Sequence, residues 1–308
     1  WLPNKYGGKE NLDAIDLLKQ VNLAVHEKSP NALTIAEEST SWNGVTKSVH
    51  EGGLGFDLKW NMGWMHDTLD YFSTDPVFRK EVQNKLTFGL LYAFSEKFIL
   101  VYSHDEVVHE KKSLLGKMPG DQWQQFANLR LCLGYMFTHP GKKLLFMGDE
   151  FGQSIEWNFK SGLQWDEAVK DLNSQLTEFV RRLNELFRQR DPLHDFDYAP
   201  EGFEWVDFED AQQSVISFIR RSRNEFLLVV CNMTPVPRHN YRVGVPIYGL
   251  YNEILNSDAK EYGGSGVENL GTLHADKVAI HGRAASLSLT LPPLSILVFA
   301  LDSSHQND

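Results

Sequence analysis

Four acidic sites in the sequence fall directly after short apolar runs. Glu37-Glu38 follow Leu33–Ala36, and Asp57 follows the glycine-rich stretch Gly52–Phe56. His104-Asp105 follow Phe98–Tyr102 after one serine, and Asp149-Glu150 follow Lys143–Met147 after one glycine. Retaining cleavage of a glycosidic bond needs two carboxyl groups about 5–5.5 Å apart, one a nucleophile and one an acid that later acts as a base. The acid must hold its proton near neutral pH, which apolar surroundings or a neighbouring carboxylate can arrange. Glu37 has an apolar run before it and a second acid after it, so both means are available there. A His-Asp pair such as His104-Asp105 can bind sugar hydroxyls and favour an oxocarbenium-like transition state. Each pair also has a plainer reading, as a loop cap or salt-bridge partner. His104 and His109 are five residues apart with no soft third ligand nearby, so no metal site is expected.

These groups need elements to hold them. Asn11 can cap a helix over 11–28, with Ala14, Leu17, Leu18, Val21, Ala24 and Val25 forming an apolar stripe. Pro76 is placed to open a helix over 76–97. Asp121 can cap another, to about residue 138, and a long helix covers about 168–190. With the four apolar runs as strands, the order is strand, loop, helix, which predicts a parallel α/β architecture. Unpaired carboxylates are costly to bury, so the strand-end acids belong at a wet rim. In a (β/α)8 barrel one such rim builds the active site.

Past Asp191-Pro192 the pattern changes to short β-type runs at Glu204–Phe208, Ser214–Ile219, Phe226–Cys231, Leu287–Leu291 and Ile296–Leu301. Turn residues separate them, which predicts an antiparallel all-β domain. The expected division is an α/β part over 1–194 and an all-β part over 195–308. The tail after residue 302 is polar and reads as mobile.

Flat aromatic rings can stack on the apolar face of a pyranose. Trp60 and Trp64 follow the loop after Asp57, and Trp157 and Trp165 follow Glu150; each is a candidate for sugar contact or for packing. Trp123 lies on an inward helical stripe. Trp205 is either a surface platform or core. The net charge of −11 argues against nucleic acid as a partner, since such binders need a basic face. No run of about 18 apolar residues suggests a membrane span. Cys132 and Cys231 are far apart and suggest no disulfide framework.

Longer strings then resemble a known family. Ala36-Glu37-Glu38-Ser39-Thr40 and Ser103-His104-Asp105-Glu106-Val107-Val108-His109 look like two signature segments of bacterial glycogen branching enzymes, in the α-amylase superfamily. Trp60–Tyr71, Leu144–Phe151, Asn232–Arg238 and Leu287–Pro293 are similar too. The resemblance implies the second half of a (β/α)8 barrel followed by a β-sandwich. It implies Glu37 as general acid/base, Asp105 as the transition-state-stabilising carboxylate and His104 as a substrate-binding neighbour; of the aromatic candidates, Trp60 and Trp157 are the expected substrate contacts. An α-glucan is the implied partner, with no cofactor and a cytoplasmic location. The family's nucleophilic aspartate has no matching motif in this chain, so it is expected upstream, in an N-terminal half of the same enzyme. Alternatives are an amylase-type or debranching hydrolase, or a non-catalytic glucan-binding fragment.

Overall fold

The computed structural model describes residues 1–302. Helix α1 (Leu12–Lys28) opens with the Asn11 side chain accepting the Ala14 N–H at 3.1 Å. Strand β1 (Ile35–Ala36) follows, then a long loop, then β2 (Leu58–Trp60) and α2 (Met62–Ser73). The single helix expected over 76–97 is instead three short pieces. A 3-10 segment at Pro76–Glu81 leads into α3 (Asn84–Phe88), and a further 3-10 turn covers Gly89–Leu91. Asp75 caps the first piece, and buried Arg79 turns inward to bond the backbone of Thr74, Phe72 and Met233. Packing of that guanidinium overrides the helical periodicity.

Strand β3 (Phe98–Tyr102) is wholly buried. After it come α4 (Leu114–Lys117), α5 (Gln122–Thr138), β4 (Lys142–Leu145), α6 (Trp165–Ala168) and α7 (Asp171–Gln189). Strands β1-β2-β3-β4 form one parallel sheet in chain order. Tyr102 Oη reaches Thr68 of α2 at 3.1 Å and Cys132 of α5 at 3.2 Å, so that strand face looks toward the helices. Successive strand residues alternate, and the opposite face is the one a barrel would close around.

The remainder is antiparallel. Strands β5 (Phe203–Asp207), β6 (Val215–Arg221), β7 (Phe226–Asn232), β8 (Arg238–Val245), β9 (Leu250–Asn256), β10 (Thr272–His274), β11 (Ala285–Leu291) and β12 (Ser295–Leu301) make two sheets. Six strands run β10-β9-β12-β7-β6-β5, and β11 pairs with β8. The larger sheet buries one face against the β8–β11 pair, through Leu228, Val230, Leu287 and Phe299. Its other face meets α5, which is buried at every position from Phe126 to Thr138. Gly134 makes that approach possible: a Cβ there would stand 2.4 Å from Ile296 Cγ2. The polar tail after Asp302 lies outside the described residues.

Candidate active site

The candidate residues Glu37, His104 and Asp105 sit where β1 and β3 end. Glu37, the first residue after β1, is exposed and has no hydrogen-bond or ion-pair partner among the described residues. Its neighbour Glu38 is committed elsewhere. Glu38 accepts Lys59 Nζ at 2.8 Å and the Thr40 N–H at 2.9 Å. Burial works against its charge, but the hydrogen bonds from Lys59 and Thr40 outweigh that and hold its carboxyl below the usual range. The pair therefore splits into one tied acid and one open acid. The apolar enclosure expected around Glu37 is not supplied by the described residues.

After β3, Ser103 starts a 3-10 turn over His104–Val107, closed by a capping box in which Glu106 accepts both the Ser103 N–H and its hydroxyl at 2.8 Å. That cap fixes the direction in which the next two side chains leave the strand. His104 Nε2 lies 3.2 Å from Asp105 Oδ1, and both groups are about half exposed. The His104 ring is flanked by Phe146 at 6.0 Å and Trp157 at 6.2 Å, which themselves meet edge-on at 5.3 Å. The Trp157 N–H also donates to the Val107 carbonyl at 3.0 Å. His104, Asp105 and Trp157 thus form one group.

Trp60, at the end of β2, is half-buried against the core and lines a cleft of about 500 Å³ with Glu38, Trp42 and Tyr92. The structure places Trp60 apart from the His104 group, with no ring contact between them. Strand β2 separates β1 from β3, so the backbones carrying Glu37 and Asp105 stand roughly 10 Å apart at ordinary strand spacing.

Two of the four expected rim acids prove to be something else. Asp57 precedes β2 rather than ending a strand, because the glycine stretch before it is a turn, with Gly52 at φ +90° and Gly55 at φ +81°. Its carboxylate accepts the Thr34 N–H at 2.7 Å and meets His26 at 2.9 Å, a structural tie between β1, β2 and α1. Asp149 is buried rather than wet. One carboxyl oxygen has no partner, and burial, then the nearby Glu150 and Glu106 carboxylates, push its pKa well above the usual range.

The other tryptophans mostly pack. Trp64 is buried against Tyr102, and Trp205 joins Phe203, Phe208 and Phe218 in an aromatic cluster. Trp123 Nε1 donates to the Gly263 carbonyl across to the β-domain at 3.1 Å. Trp165 is exposed and rests on Phe151. Sequence reasoning missed Lys59 and Phe146. Lys59 stands one residue before Trp60 in a strand the glycine-rich run had displaced. Phe146 lies inside the apolar run Lys143–Met147, where nothing marks it apart from its neighbours. Among the described residues, no group of three or more His, Cys, Asp or Glu side chains could hold a metal ion. No described helix is long and apolar enough to cross a membrane.

Residues 205–302 match the family model "Alpha amylase, C-terminal all-beta domain". The chain is 58% identical over 299 residues to a 1,4-alpha-glucan branching enzyme of Aquifex aeolicus, covering 96% of this chain and 48% of that protein. It is 55% identical to one from Synechococcus elongatus, covering 100% of this chain and 40% of that protein. The chain thus spans about half the length, or less, of the relatives it matches. Among solved structures, an alpha-amylase from H. orenii aligns with a TM-score of 0.61 at 13% identity, over 96% of this chain and 58% of that one. A debranching enzyme from Nostoc punctiforme aligns with a TM-score of 0.59 at 18% identity, over 92% of this chain and 53% of that one. At such identities these two speak to fold alone.

Proposed function

The chain belongs to the bacterial 1,4-α-glucan branching-enzyme family of the α-amylase superfamily, and from that premise we propose that it carries the acid/base half of a glucan-branching site. The parent protein would cut an α-1,4-glucan, hold the released chain as a glycosyl ester, and pass it to a C6 hydroxyl of another chain. In the first step a carboxylate attacks C1 while Glu37 gives its proton to the departing O4. In the second, Glu37 takes the proton of the incoming C6 hydroxyl as that oxygen attacks C1 and the ester breaks. Two displacements at one carbon retain its configuration.

Asp105 favours the positive charge that develops at C1 in both transition states, and His104 holds sugar hydroxyls beside it. Trp157, packed against His104, and Trp60 offer ring faces to the glucan. The nucleophile is proposed to come from a segment outside residues 1–308. The four-stranded parallel sheet supports this, since it has two free edges and four strands do not close a (β/α)8 barrel. That segment would also roof Glu37. The catalytic part would end near residue 194 and the β-domain begin near 195, in a cytoplasmic enzyme.

The observation that carries this reading is the 54–58% identity to branching enzymes along nearly the whole chain. The test is Glu37→Gln in the longer protein, read by iodine staining of amylose together with reducing-end release. The amide keeps the shape but cannot act as the acid, so the rate is expected to fall by about 10²–10⁴-fold. Thermal stability should hold, because the side chain ties no other described residue and the amide keeps its shape. A variant retaining more than about a tenth of the parent rate would remove Glu37 from this role.

A further inference from the structure

The loop that follows the His104-Asp105 turn holds an unusual backbone. His109, Glu110 and Lys112 all adopt the left-handed region, at φ of 56°, 65° and 67°. None is glycine, and residues with a Cβ occupy that region at an energetic cost, so something must hold them there. A turn in which left-handed residues alternate with ordinary ones directs its N–H groups toward one side and forms an anion-holding concavity.

Here the anion is a side chain of the same protein. One carboxylate oxygen of Glu156 accepts the Lys112 N–H at 2.6 Å, and the other accepts the Glu110 N–H at 3.1 Å. Glu156 belongs to the loop after β4, and its chain neighbour Trp157 grips the same β3 loop at its other end. The Trp157 N–H donates to Val107, and its ring lies against His104. Between these two anchors, Lys111 Nζ reaches back and donates to the Asp105 carbonyl at 2.8 Å.

We propose that Glu156 is a positioning residue, which clamps the 109–112 turn and through it sets the aim of His104 and Asp105. Glu156 reaches neither of these side chains itself. Its carboxylate supplies the two acceptors that stabilise the left-handed turn, and the turn in turn fixes Lys111 against the Asp105 backbone. The inference rests on the reading of Asp105 as a catalytic carboxylate. It adds a dependence of that carboxylate on a residue from a different loop.

The experiment uses the longer protein and compares Glu156→Gln, Asp105→Asn and the double variant Glu156→Gln with Glu110→Gly. Glutamine keeps one acceptor but turns an amide N–H toward the second donor, so one of the two bonds is lost. The expected result for Glu156→Gln is a kcat lower by between about tenfold and a hundredfold, the scale on which misplacing a reacting group by ~1 Å acts. KM should stay within about threefold, since sugar binding elsewhere is untouched. Adding Glu110→Gly should restore much of the lost kcat, because glycine holds φ near +65° without a clamp. A merely structural role would lower the folded fraction but leave kcat per folded molecule unchanged, so that glycine would raise the folded fraction and not kcat. A Glu156→Gln kcat within about twofold of the parent, with Asp105→Asn inactive, would overturn the positioning role alone. Full activity in Asp105→Asn would instead overturn the underlying reading of the site, and the positioning role with it.

Discussion

Strands β12 and β1 are both short apolar segments, yet they sit in opposite surroundings. From Ser295 to Ala300 no residue of β12 is more than 6% exposed, whereas Ile35 of β1 is 44% exposed and Leu33 just before it 65%. The helix packed near each strand repeats the contrast. Helix α5, between the parallel and antiparallel layers, is buried all round from Phe126 onward. Helix α1, beside β1, has only Asn22 buried, with its side chain donating to the Leu54 carbonyl at 2.8 Å. Its apolar stripe, including Leu17, Leu18 and Val21, faces solvent. An apolar helical face gains its stability from what covers it. The difference teaches that one side of the parallel layer is finished by the β-domain, while on the side carrying β1 the described residues leave apolar side chains uncovered.

The finished seam is stitched by buried guanidiniums, and breaking one gives the largest stability change expected. Arg220 of β6 donates to the Gly202 carbonyl at 3.0 Å, to the Thr138 carbonyl at the end of α5 at 2.8 Å, and to Asp197 at 3.1 Å. Asp197 also accepts Lys142 of β4 at 2.9 Å. Arg220→Met would keep much of the bulk but strand two carbonyls and half of the Asp197 pairing in the interior. Removing one member of a buried pair costs about 3–5 kcal/mol. Denaturant unfolding should read a loss of that size, and a loss below about 1 kcal/mol would mean the seam does not depend on this arginine.

The second contrast is electrical, between the seam and the rim. His139, at the seam, donates through Nδ1 to the Pro140 carbonyl at 3.1 Å, while Nε2 is buried without a partner. Burial pushes its pKa down to about 3. A group with a lowered folded pKa contributes stability above its unfolded value, near 6.5, and loses it as pH falls. Asp149, at the rim, has the opposite sign. Its raised pKa contributes stability below the unfolded value near 3.9, and that contribution fades as pH rises. On acidification the two oppose each other. Relative to the parent, His139→Phe should therefore gain about 2 kcal/mol as pH falls from 6.5 to 5, and Asp149→Asn should lose stability on acidification. Parallel unfolding curves for parent and variants at the two pH values would show that neither group is held as the structure has it.

What the sequence made legible follows the same division. Strands β6, β7 and β12 announce themselves because burial on both faces demands continuous apolar runs such as Phe226–Cys231. Strand β8 did not, since Arg238-His239-Asn240-Tyr241-Arg242 has one wet face and Asn240 sits at φ +54°. Glu37 and His104-Asp105 could be found because each directly follows a strand that local apolarity defines. Asp149 was found for the same reason but misjudged. Whether a strand-end acid is wet or buried depends on neighbours such as Glu106 and Lys117, which its own segment does not reveal. Asp57 failed differently: glycines permit a turn as readily as a strand, and the apolar side chains beside them did not decide between the two. The α1 stripe was read correctly as apolar, but periodicity cannot say which surface it meets.

The smallest change discriminates most finely between the two sides. Leu17 on α1 is 61% exposed, and Leu297 on β12 is fully buried. Leu297→Ala should cost about 2–5 kcal/mol wherever it is measured, because its cavity lies inside a closed core. Leu17→Ala should behave differently in two settings. In residues 1–308 alone it removes little buried surface, and alanine is the better helix former, so the change should stay within about 0.5 kcal/mol. In the longer protein, where the rest of the barrel is proposed to cover α1, the same substitution should cost about 2 kcal/mol or more. The comparison needs only unfolding curves for both substitutions in both proteins, with the Leu297 pair as the internal standard. Should Leu17→Ala prove as mild in the longer protein as in the segment, the outward stripe of α1 would be ordinary surface, and the cover would have to be sought at β1 alone.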